Sequence, residues 1–90
     1  MAFYVVVYDL KRPGQNYPEL IEHLESYPHH WHFQQSGWLV GPAESAYAVA
    51  DAAKAYLDAK DVIFAQRLTE DSASWGYTPE GNEWIAAAAG

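Results

Sequence analysis

Cysteine is absent from the chain, which excludes a disulfide framework and any thiolate-held zinc or iron–sulfur site. Cations are nearly as scarce. Lys11, Arg12, Lys54, Lys60 and Arg67 stand against twelve acidic residues, for a formal net charge of −7. A protein that grips a phosphate backbone through many cationic contacts carries a basic patch or stripe. Here only Lys11 and Arg12 adjoin, so extensive unaided binding of nucleic acid is disfavoured; a metal ion or a basic partner would change the local field. No apolar run approaches the roughly 20 residues that span a bilayer, so no membrane partner is expected. Met1-Ala2-Phe3-Tyr4 lacks the charged lead and apolar block of a signal peptide, which makes a cytoplasmic protein the expectation.

What is present is a globular composition: 90 residues, 50% of them apolar and 16% aromatic. A single domain of this size has a thin core, and oligomerisation is one common source of the missing buried surface. Residues 3–10 read as a strand, dominated by β-branched and aromatic side chains, with Asp9 near its end. Phe3, Val5 and Val7 on one face and Tyr4, Val6, Tyr8 and Leu10 on the other make both faces apolar. Helices would cover only one of them, so the other calls for a cover too, and a second copy of the chain is the simplest one.

Pro13-Gly14 marks a turn, and Asn16 with Glu19 three positions on reads as an N-cap with its capping-box partner. Tyr17, Leu20, Ile21 and Leu24 follow at the spacing of an amphipathic helix, which Pro28 stops. Residues 29–35 and 38–40 read as two strands joined by a tight Ser36-Gly37 hairpin, with Gly41-Pro42 breaking the second. An alanine-rich helix is predicted over residues 43–60 and a fourth strand over 61–68. Residues 1–69 therefore read as an α+β domain, a ferredoxin-like β-α-β-β-α-β sandwich. Residues 70–90 form an aromatic C-terminal extension with Trp75, Tyr77 and Trp84, expected to pack on the domain or on a dimer partner. Thr78-Pro79-Glu80 has the form of a helix start. The final alanines fit a helix end or an added tail equally.

Among side chains with chemistry, Asp9 leads. A carboxylate at the end of an apolar strand is either placed for a reaction or caps the entry to a loop. His29, His30 and His32 offer a second candidate: on a strand His30 and His32 share a face and can hold zinc or nickel, while His29 points away. Spacing supplies no third ligand, and polar aromatics on a half-exposed strand are the blander reading. Ser36 has no partnered base and no nucleophile elbow around it, so a hairpin turn accounts for it. Lys11 and Arg12 follow Asp9 on one loop, either to hold a phosphate or simply in solvent. Tyr4, Tyr8 and Trp38 read as core or interface ahead of a base-stacking platform.

Val5-Val6-Val7-Tyr8-Asp9-Leu10, Gln34-Gln35-Ser36-Gly37-Trp38 and residues 56–63 together resemble the small CRISPR adaptation nuclease family. The fuller Tyr-Asp-Leu and Pro-Gly-Gln-Asn-Tyr pattern is similar to its SinR-like branch, which is related to the virulence-associated D ribonucleases. The resemblance covers roughly residues 3–69. It implies a homodimer and a metal-dependent endonuclease on DNA or RNA, with Asp9 as catalytic residue and metal ligand. The family places the Ser36 position near the acidic site. Two chains paired about a two-fold axis with these strand ends facing would let two Asp9 carboxylates share one Mg²⁺ or Mn²⁺, with Lys11 and Arg12 as the candidate substrate contacts on the same loop. No organic cofactor is expected. The chain departs from the family pattern in its few cations, in Gly37 where a hydrophobic residue is usual, and in its histidine-rich stretch. A non-catalytic dimeric adaptor, taking a protein partner, is the alternative on the same fold.

Overall fold

The computed structural model describes residues 2–11 and 17–89. The expected turn at Pro13-Gly14, the Asn16 cap and Arg12 lie outside the described residues. The elements follow the order β1 (Ala2–Asp9), α1 (Pro18–Glu25), β2 (His29–Gln34), β3 (Gly37–Ala43), α2 (Ala46–Lys54), β4 (Val62–Arg67) and α3 (Pro79–Ala89). The four strands form one antiparallel sheet in the order β2-β3-β1-β4, an α+β arrangement with β1 and β3 at its centre. No helix among the described residues is long and apolar enough to cross a membrane.

The two-residue period of β1 separates its faces. Tyr4, Val6 and Tyr8 are buried in one cluster with Leu20 and Leu24 of α1, Trp38 and Val40 of β3, and Val49 and Ala53 of α2. Leu20 and Leu24 are fully buried, and each contributes about 1.5–3 kcal/mol of transfer free energy. Tyr17, Leu20 and Leu24 thus face the core as the helical spacing predicts, with Pro18 in the first turn; the N-cap is Tyr17, left-handed at φ 47° and without a side-chain cap bond, in place of the expected Asn16.

Four boundaries differ from the sequence expectation. α2 begins only at Ala46, because the Ser45 hydroxyl accepts the Ala48 N–H at 3.0 Å and caps the helix there. It ends at Lys54 rather than at residue 60, as the chain tightens into bonds from Tyr56 N–H to the Ala53 carbonyl and from Leu57 N–H to the Lys54 carbonyl. Gly41-Pro42 does not break β3; the strand continues to Ala43 through a cis peptide, and the register with β1 shifts between Ala2 and Tyr4. Gly41 serves close packing there, since a Cβ on it would lie 2.7 Å from the Phe3 ring. The hairpin turn falls on Gln35 and Ser36, with Gly37 already in β3.

The second face of β1 has a cover within the chain. α3 starts where Thr78-Pro79-Glu80 predicts, the Thr78 hydroxyl accepting the Gly81 N–H at 3.1 Å. Trp84 meets Phe3 edge-on at 5.8 Å between ring centroids and Trp31 at 6.1 Å. Tyr77 lies 5.3 Å from the Trp31 ring and its hydroxyl accepts from the Gln34 amide at 2.8 Å. The tail thereby docks over β2 and the start of β1. Toward β4 it leaves Val62 and Phe64 each 55% exposed, with Val7 beside them, while Trp75 in the connecting segment is 97% exposed.

Gly81 makes the docking of α3 on Trp31 close: a Cβ there would fall 2.6 Å from the indole. Gly81→Leu is expected to lower stability by about 1–3 kcal/mol through overpacking. That loss exceeds the helix-propensity gain, which is below about 1 kcal/mol. Urea unfolding checks the loss, and faster amide exchange across residues 79–88 checks that the tail is what lifts.

Candidate functional site

Asp9 closes β1 in register with Val62 of β4, and its carboxylate is 68% exposed. Strand alternation puts it on the same face as Val7 and Phe64, which are paired across β1 and β4, so Asp9 terminates the exposed apolar strip. Lys11 Nζ donates to the Asp9 carboxylate, an exposed ion pair. The Lys11 backbone N–H donates to Asp61 Oδ1 at 2.8 Å, and the other oxygen of Asp61 accepts the Asp58 N–H at 2.8 Å. Asp58 in turn accepts from the Tyr17 hydroxyl at 3.3 Å. A turn between α2 and β4 therefore fastens the chain that leaves β1.

Ser36 arrives at the same end of the sheet. Its carbonyl accepts the Tyr8 N–H at 3.1 Å, one residue before Asp9. Of the expected site residues, the fold brings Asp9, Lys11 and Ser36 to one end of the sheet, and Arg12 lies outside the described residues. Asp61 falls at the start of the predicted fourth strand and Asp58 near the end of the predicted alanine-rich helix. Their spacing of three, between a helix and a strand, was the available signal for the turn they build. An exposed, all-oxygen donor such as Asp9 suits a hard cation that keeps most of its waters. Asp9 is the carboxylate that closes β1, and among the described residues no three His, Asp or Glu side chains converge on a point.

The histidines of β2 divide as strand alternation predicts. His29 lies 5.7 Å from the Phe3 ring on the tail-covered face. His32 stacks on Trp38 at 4.4 Å and 10°, and His30 lies over the same indole at 6.3 Å. Under them the Trp38 indole N–H donates to the Tyr8 hydroxyl at 3.1 Å, and burial raises the Tyr8 phenol above its ordinary value. Tyr4, Tyr8 and Trp38 are thus core and not a stacking surface.

Elsewhere, a groove of about 320 Å³ runs between sheet and tail past Val5, Phe33, Leu39, Leu68 and Trp75. On the helix side, His23 stacks on Tyr56 at 5.0 Å and meets Tyr27 edge-on at 5.6 Å. No family model, no curated protein and no solved structure matches the chain.

The His23 Nε2 is buried without a partner among the described residues, and burial holds the imidazole below its ordinary value of 6.5. The unfolded chain therefore binds more protons than the folded one between that value and the lower folded one. Stability is complete above the window and falls as the pH drops through it. Urea midpoints at about pH 7.5 and about pH 5.5 are expected to differ in that direction, and His23→Phe, which keeps the aromatic stack, to flatten the difference.

Proposed function

We propose that the chain is a cytoplasmic, ferredoxin-like homodimer akin to the small CRISPR adaptation nucleases, cutting phosphodiesters with the help of Mg²⁺ or Mn²⁺ held by Asp9. One observation carries the reading: Asp9 stands at the end of the apolar strip of Val7, Val62 and Phe64 that the tail leaves uncovered. Burying that strip against its own copy about a two-fold axis would bring the two strand ends, and two carboxylates, to one place. The strand order β2-β3-β1-β4 supports the ferredoxin-like assignment.

A divalent ion, when bound, supplies a polarised water and neutralises charge on the scissile phosphate. The chain's own residues do the rest. Asp9 would hold the ion through its exposed oxygens. Lys11, whose ammonium rests on Asp9, would hold a phosphate if a cation took that carboxylate. Arg12 follows it in sequence as a second phosphate contact, and the Ser36 hydroxyl lies near the same strand end. The turn of Asp58 and Asp61 holds the Lys11 backbone in place.

The Asp9–Lys11 pair and the net charge of −7 favour a second reading, a non-catalytic dimeric adaptor that uses the same strip to organise protein partners. Single- and double-stranded DNA and RNA, each with Mg²⁺, Mn²⁺ or chelator, separate the two. The expected outcome is metal-dependent cleavage that falls to background in Asp9→Asn. A folded dimer that cuts none of these substrates leaves the adaptor reading standing. Phe64→Glu is expected to weaken self-association at least about tenfold, or about 1.4 kcal/mol, by light scattering; an unchanged dimer mass would show that the strip is not the interface.

A further inference from the structure

The two histidines over Trp38 have a feature that packing alone does not require. Among the described residues each ring is anchored through one nitrogen: His30 Nδ1 lies 3.0 Å from the Tyr27 carbonyl oxygen, and His32 Nε2 lies 3.0 Å from the Gln35 carbonyl oxygen. A carbonyl oxygen can only accept, so the anchored nitrogen in each ring carries the hydrogen. In the neutral imidazole the other nitrogen, Nε2 of His30 and Nδ1 of His32, is then a lone-pair donor. This is the arrangement by which proteins prepare a histidine to bind a metal, with a backbone carbonyl on the far nitrogen fixing tautomer and orientation.

Two positions apart on β2, His30 and His32 stand as neighbours on one face of the strand. Both imidazoles rest on a single buried indole, at 4.4 and 6.3 Å, and both residues remain exposed to solvent. The strand beneath is pinned from the opposite face, where Trp31 packs between Tyr77 and Trp84.

We infer that His30 and His32 form a two-histidine binding site for a borderline transition-metal ion, with water completing the coordination sphere. Imidazole nitrogen selects copper(II), nickel(II) and zinc(II) over magnesium, and copper(II) binds most tightly of these. The site is separate from Asp9 in donor chemistry and in place: His30 pairs with Val40 on the helix side of the sheet, whereas Asp9 lies on the tail side. A net charge of −7 adds a general attraction for cations.

Titration of the untagged full chain at about pH 7.5, where free imidazole is neutral, tests the site with copper(II) chloride and zinc chloride. Calorimetry reads the stoichiometry and intrinsic fluorescence reads the approach of copper to Trp38. The expected result is one ion per chain and partial loss of indole emission. Affinity should fall at least about tenfold in His30→Gln and in His32→Gln, as removal of a ligand or its support does. His29→Gln, on the opposite face, and Asp9→Asn should titrate like the parent, so loss of nuclease activity and loss of this site are read apart. His32→Gln gives up a ring stack; His30→Gln, whose ring lies farther from the indole, is the decisive variant, with circular dichroism confirming its fold. Undiminished binding in His30→Gln, an equal loss in His29→Gln, or no binding by either ion would overturn the site.

Discussion

Everything in this fold answers to the position of β1. The strand lies between β3 and β4 and is apolar on both faces, so neither face can be left to water without cost. One face is filled by α1 and α2 through Leu20, Leu24, Val49 and Ala53. The other receives the C-terminal segment, whose Trp84 and Tyr77 reach Phe3 and Trp31. That cover stops short of β4. The chain thus meets most of the demand internally and leaves a strip beside Asp9.

The tail's reach decides which surfaces have chemistry to offer. Because it docks toward β2 and the start of β1, the opposite end of the sheet stays open, and that is where Asp9, Lys11 and Ser36 gather. The local field there is set by few charges. The Asp9–Lys11 ion pair is exposed, and exposed pairs contribute about 0–1 kcal/mol to stability. Release of Lys11 from Asp9 therefore costs the fold little. The turn built by Asp58 and Asp61 is the firmer element, since it engages the backbone.

The helix-side surface of β2 follows a different logic. Trp38 is nearly completely buried, although β2 is an edge strand, because His30 and His32 lie across it and Tyr8 accepts its N–H from below. Two polar rings thus cover a buried indole while both histidines remain exposed to solvent.

Much of this was legible in the residue order. The strand–helix alternation, the inward stripe of Tyr17, Leu20 and Leu24, the split of His29 from His30 and His32, and the start of α3 at Pro79 follow from local periodicity and capping, which depend on near neighbours alone. The passage of β3 through Gly41-Pro42 did not, because it is settled by a distant partner, Phe3 packed against Gly41. Asp58 and Asp61 likewise gain their role only when the fold carries them to Lys11, some fifty positions away. The sequence by itself determined that β1 must be covered twice and that Asp9 ends it. Only the tertiary structure decided that the tail supplies part of the second cover and that two histidines share one indole. Hydrophobic periodicity is a property of a segment, whereas the choice of what covers a face depends on contacts between segments far apart in the chain.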